Sequence, residues 1–209
     1  MNSKAPPPQA LIVIDLQRAF TSGDDAVPDA ADLLRQIHTL LRRARAAAAL
    51  VIHLQNDGAG GTIDQPGTPG WELHLSPTDR TGETVIRKTT DDGFHDAHTA
   101  TDTDTDTGIN LSGVLTQHHI QSIALCGLLS EMCVSATARS ALAHGLHVVI
   151  PHDAHATYDI PAIDHLSERI PAKTVSRVAE WALGDEVHIV PRAEDVRFSA
   201  AQPTSGHRH

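Results

Sequence analysis

The chain has 209 residues, 40% of them apolar, which is enough for one sizeable core and too many for a disordered polymer. Acidic residues number 26 against 16 basic ones, and the resulting net charge of −10 speaks against nucleic acid or an anionic membrane as partner. Two cysteines exclude a disulfide framework. No run reaches signal-peptide or membrane-span length, so a cytoplasmic protein is expected.

In chain order, the apolar run 10–14 ends at Asp15 and reads as a strand buried on both faces. Residues 29–48 follow as a helix with Leu33, Leu34, Ile37, Leu40, Leu41 and Ala44 on one stripe. A second strand spans 50–54. The glycine- and proline-rich stretch 56–77 is a long loop, a feature often tied to function in compact domains. A short third strand at 84–87 ends at Lys88. The Asp-Thr repeat at 99–107 buries nothing on either alternating face and reads as a solvated insertion. Helices fit at 109–118, 131–144 and 174–183, the last with Val175, Val178, Ala179, Ala182 and Leu183 on one face and Gly184 as its stop. Strands fit at 122–126, 146–150 and 187–190. A single domain over 1–197 is expected, followed by a tail at 198–209. Alternating helices and continuously apolar strands predict an α/β fold with a parallel sheet covered on both faces.

Residues 121–145 carry the strongest chemical signal. A strand, a sharp turn at Gly127 and a helix starting near Ser130 place Cys133 in a first helical turn. There the helix dipole and unpaired N–H groups favour thiolate over thiol and can hold a developing oxyanion. Cys126, inside the apolar strand, reads as structural. In open parallel sheets, ligands bind outside the carboxyl ends of the strands. Asp15, Lys88 and Cys133 all fall there, as a base, a charge stabiliser and a nucleophile would. Each alone has a plainer reading: a strand-end aspartate, an exposed lysine beside Arg87 and a buried thiol.

Four pieces then match one family in order: Leu11-Ile12-Val13-Ile14-Asp15-Leu16-Gln17, Gly67-Thr68-Pro69-Gly70, Arg87-Lys88-Thr89, and Cys126-Gly127 through Ser130-Glu131-Met132-Cys133 to Arg139. The chain resembles the isochorismatase-like cysteine hydrolases, a group that includes nicotinamidases, N-carbamoylsarcosine amidohydrolases and isochorismatases. The resemblance implies a three-layer α/β/α sandwich with a six-stranded parallel sheet in the order 3-2-1-4-5-6. It also implies a catalytic trio of Asp15, Lys88 and Cys133. A non-proline cis peptide would fall at Leu128–Leu129, turning the Leu129 N–H toward that of Cys133 as an oxyanion hole.

The chain departs from the family pattern at two places. Ala19 stands before Phe20 where an acidic residue is usual, and Asn56-Asp57-Gly58 replaces the Asp-x-His metal pattern of nicotinamidases. The pairs His95/His98 and His152/His155 lack a third ligand, so no metal and no cofactor are expected. Phe20, Trp71, His74 and Phe94 are candidate pocket walls, with packing of the long loop as the plainer alternative. The expectation is a metal-independent hydrolase of a small amide, lactam or carbamoyl substrate acting through a thioester. Its alternatives are an isochorismatase-type enol-ether hydrolase and a non-catalytic interaction module on the same fold. A small-molecule substrate and a homo-oligomer, dimer or tetramer, are the expected partners.

Overall fold

A computed structural model of the chain describes residues 5–78, 83–95, 98–99 and 110–201. All but the first residue of the Asp-Thr repeat lies outside the described residues, as do the last eight residues. Six parallel strands form the sheet: β1 (Ala10–Ile14), β2 (Leu50–Asn56), β3 (Thr84–Lys88), β5 (Ser122–Leu128), β6 (His147–Pro151) and β8 (Val187–Val190). They lie in the order β3-β2-β1-β5-β6-β8, which is the expected 3-2-1-4-5-6. Two short additions were not anticipated. β4 (His98–Thr99) pairs antiparallel with β3, and β7 (His155–Ala156) pairs with β5 at Gly127 and Leu128. Two-residue strands carry too little periodicity to be read from sequence.

The β1 run is apolar at every position because it is buried on both faces. Ala10, Ile12 and Ile14 join one apolar cluster, and Leu11 and Val13 the other. The first cluster is completed by α3 (Leu111–Gln117) and α4 (Ser135–Ala143), which contribute Val114, Leu115, Ala138 and Ala141. The second is covered by α2 (Ala30–Ala46) through Leu33, Ile37, Leu40, Leu41 and Ala44, the stripe read from its spacing. Each Leu, Ile or Val among them, buried whole, contributes about 1.5–3 kcal/mol, so the two layers lock the central strands. A short helix α1 (Arg18–Thr21) follows β1, and α5 (Ala172–Ala182) precedes β8.

One expectation about an element needs correction. In α5, Val175, Ala179 and Leu183 are buried, but Val178 is 59% exposed. The buried stripe instead takes in Ser176 and Glu180, because polar partners wait beneath it. Of the expected tail 198–209 the described residues reach Ala201, where Ser199 N–H donates to Pro8 O and Ala201 N–H to Ala48 O.

Gly127 shows how tightly the central strands meet. Its φ is +119°, and an added Cβ would lie 2.0 Å from the Ile14 carbonyl oxygen. Only glycine lets β5 approach β1 this closely.

Candidate active site

β1 and β5 are neighbours at the switch in strand order, and their carboxyl ends carry Asp15 and the turn holding Cys133. Asp15 leaves β1 with φ +49° and donates its N–H to Leu54 O. Lys88 ends β3, two strands away, so its side chain must cross the end of β2, a span of about 10 Å between strand axes. A long, flexible stem does this, and the residue is only 1% exposed.

The Lys88 ammonium makes three contacts. Nζ lies 2.7 Å from Asp15 Oδ2, donates to Thr90 O at 3.0 Å, and lies 3.5 Å from Cys133 Sγ. The structure therefore brings the three sequence-predicted residues into one corner. Asp15 Oδ1 is buried without a hydrogen-bond partner among the described residues. Asp91 Oδ1 also lies 3.6 Å from Cys133 Sγ, a neighbour the sequence reading missed. Its only signal was proximity to Lys88 in the chain.

Electrostatics differ from the thiolate expectation. Burial pushes the Cys133 thiol up and the Asp15 carboxylate adds to this, while Lys88 only partly offsets them. Burial likewise raises Asp15, against the pull of Lys88. Burial opposes charge on Lys88, but Asp15 and Cys133 outweigh it and its pKa is raised. These directions favour a charged Lys88 and a protonated Cys133 thiol. Burial of the thiol opposes the pull toward thiolate expected from the helix end.

The local backbone also differs. Residues Ser130–Val134 form a π-helical turn, and α4 begins only at Ser135. Leu129 O accepts from the N–H groups of Met132 and Val134. The Leu128–Leu129 peptide is cis, as the resemblance implies. Ser130 does not cap the helix. Its Oγ lies 2.8 Å from His155 Nδ1 and 2.9 Å from Ser176 Oγ.

The candidate pocket walls are held by identifiable partners. Phe94 packs against the same apolar cluster as Cys133 and stacks on His144, with ring centroids 4.6 Å apart. Phe20 packs with the opposite cluster. Trp71 donates its indole N–H to Asp57 and lies under the Arg87 guanidinium. His74 Nδ1 lies 2.9 Å from Thr21 Oγ1, and burial and Arg18 lower its pKa, so it is neutral near pH 7.

Gln17, which the sequence reading quoted only as part of a motif, is the clamp of the long loop. Fully buried, it donates to Asn56 O and Trp71 O and accepts from Asn56 N–H. Gly70 lies so close to Ile63 O that an added Cβ would come within 2.1 Å. At the position of the nicotinamidase metal pattern, Asn56 donates to Asp64, and Asp57 is paired with Arg87 at 2.7 Å. An amide and a guanidinium-paired carboxylate are poor metal ligands. The His98 side chain lies outside the described residues, whereas the pair His152/His155 gains a third neighbour in Glu180.

Residues 9–181 match the isochorismatase domain. Over 195 residues the chain is 56% identical to a streptothricin hydrolase of Streptomyces noursei, covering 93% of this chain and 73% of that one. A second streptothricin hydrolase of the same organism is 57% identical over 192 residues, and there the match covers 65% of the relative's length. The crystal structure of an isochorismatase from Pseudomonas putida KT2440 superimposes with a TM-score of 0.77 at 26% identity, covering 91% of this chain and 93% of that one. With its parallel sheet, switch-point site and matched domain, this chain belongs to the isochorismatase family and is a hydrolase of it.

Proposed function

We propose that this hydrolase cleaves the C–N bond of a small amide, lactam or carbamoyl compound through a thioester on Cys133. The observation that carries the reading is the position of Lys88 Nζ, 2.7 Å from Asp15 and 3.5 Å from Cys133, with Asp15 and Lys88 buried and Cys133 half-buried. In the proposed sequence, Cys133 Sγ attacks the substrate carbonyl carbon as its proton passes to the Asp15 carboxylate. The carbonyl oxygen takes up the negative charge, held by the Leu129 and Cys133 N–H groups. The C–N bond then breaks and Asp15 returns the proton to the departing nitrogen. Water attacks the thioester, its proton goes to Asp15, and the acid leaves as the thiol is re-formed. Lys88 keeps Asp15 ionised between steps and counters the growing charge on sulfur. Because the thiol is protonated at rest, proton transfer must accompany attack.

Streptothricin is the first substrate to test, given the two relatives named for its hydrolysis. Purified protein is incubated with it and the products resolved by mass spectrometry. A gain of one water in wild type, with at least about a thousandfold loss in Cys133→Ala, Asp15→Asn and Lys88→Met, is expected, because members of one catalytic unit fail together. Acid-quenched enzyme carrying substrate mass on Cys133 supports the thioester directly. Near-normal turnover in Cys133→Ala refutes it and moves an enol-ether hydrolase resting on Asp15 and Lys88 to the front.

A further inference from the structure

We propose that His152, His155 and Glu180 form a second site, a zinc site that braces the turn carrying Cys133. It is independent of the substrate reading above. His152 Nδ1 lies 2.6 Å from Glu180 Oε1 and His155 Nε2 lies 2.9 Å from the same oxygen. The three ligand atoms all lie within 4.8 Å of one another. Two imidazole nitrogens and a carboxylate oxygen, with no thiolate, are a donor set that suits zinc, with a fourth position left for water.

The surroundings are those a metal ligand requires. A ligating imidazole needs its other nitrogen held by a hydrogen bond, and His155 Nδ1 lies 2.8 Å from Ser130 Oγ. The second Glu180 oxygen, Oε2, accepts from Arg177 at 3.2 Å, which leaves Oε1 free to face the imidazoles. His155 and Glu180 are buried. Where α5 lies against β7, the fold thus buries a carboxylate between two imidazoles, with the Arg177 guanidinium on its other oxygen.

Access is also present. A cavity of about 330 Å³ opens beside the site, lined by His152, His155, Ser176, Asp29, Asp32 and Asp153. Of its three carboxylates, Asp29 and Asp32 are paired with Lys173 and Arg35, and Asp153, which accepts from Ala193 N–H, adds negative charge beside the imidazoles. Lys173, the cation on its wall, is paired with Asp29 at 3.0 Å. The imidazole–carboxylate separations must widen by about half an ångström to admit bonds of about 2.0–2.2 Å. His152 can supply this movement, since its side chain is 46% exposed on a one-turn 3₁₀ segment, His152–Ala154. Ser130 links the site to the π-helical turn Ser130–Val134, and Ser135 Oγ donates back to Ser130 O. Metal bound here would therefore stiffen the backbone that holds Cys133.

The test uses the full chain, stripped with a chelator and titrated with zinc by calorimetry, then with cobalt(II) by visible absorption. One tight equivalent of zinc, intense tetrahedral cobalt bands and a rise in Tm are expected. At a hundred times Kd, the folding equilibrium should shift about a hundredfold. His152→Ala should weaken binding at least tenfold while lowering the metal-free Tm by only a few degrees, because His155 still bonds the buried Glu180 oxygen. Glu180→Gln should abolish the cobalt bands. The chain has 15 histidines, so zinc held equally well by both variants would come from elsewhere and would overturn the site. Absence of a stoichiometric equivalent would do the same, leaving a hydrogen-bonded His–Glu–His cluster. Neither result bears on turnover by Cys133.

Discussion

At Asp15, burial and Lys88 pull in opposite directions, and burial prevails. As the proton acceptor it must be ionised, so a raised pKa delays the active form on the way up from acid. The acid limb of kcat/KM should therefore lie above the ordinary aspartate value of 3.8, and a pH–rate profile checks it. The same shift has a stability sign. The folded state holds the proton more tightly, so the Asp15 contribution to stability falls as pH rises from 3.8 through the folded pKa. Cys133 gives the complementary prediction. Its raised thiol pKa makes iodoacetamide labelling slow at neutral pH and faster as pH rises. Peptide mapping should find the label on Cys133 and not on Cys126, which is wholly buried in β5 with its sulfur 3.7 Å from Ile12 O. Labelling confined to Cys126 would reverse the assignment.

Among the elements, β5 and the turn after it bear the tightest constraint. Gly127→Ala would drive a Cβ into the Ile14 carbonyl at a φ that L-residues rarely adopt. A loss of about 3 kcal/mol or more is expected, which for a chain of this size lowers Tm by about 10 °C. Thermal unfolding measures it, and the activity of the surviving folded fraction should fall too, because β1 carries Asp15 and β5 carries the Cys133 turn. An unchanged Tm would mean the two strands can separate at no cost. The loop 57–78 behaves in the opposite way. It has little regular structure and is held by polar clamps: Gln17 on Asn56 and Trp71, and Asp57 on Arg87 and Trp71. Its glycines and prolines announced a loop, but the residues that pin it are ordinary polar ones whose partners lie up to 54 positions away.

Over the whole molecule, Ile163, Leu166, Val178 and Trp181 are exposed large apolar residues, Trp181 at 77%. Assembly into a homo-oligomer is the proposal this surface and the family resemblance support. Light scattering should give a mass above the 22.3 kDa of one chain, and a lone 22.3 kDa species would reject it. Among the described residues, no helix is long and apolar enough to cross a membrane.

The parallel sheet and the placement of Asp15, Lys88 and Cys133 at its strand ends were legible in the chain, while the strand order came from the family resemblance. Short continuous apolar runs alternating with helical periodicity point to strands buried on both faces, and the reactive residues sit at their ends within short motifs. The protonation of that trio was decided by the tertiary structure alone, since desolvation depends on everything packed around a group. So was the polar stripe of α5. Ser176 and Glu180 break the helix's apolar period because Ser130, His152 and His155 lie beneath them, and these neighbours come from segments 25 to 46 positions away that only folding brings together.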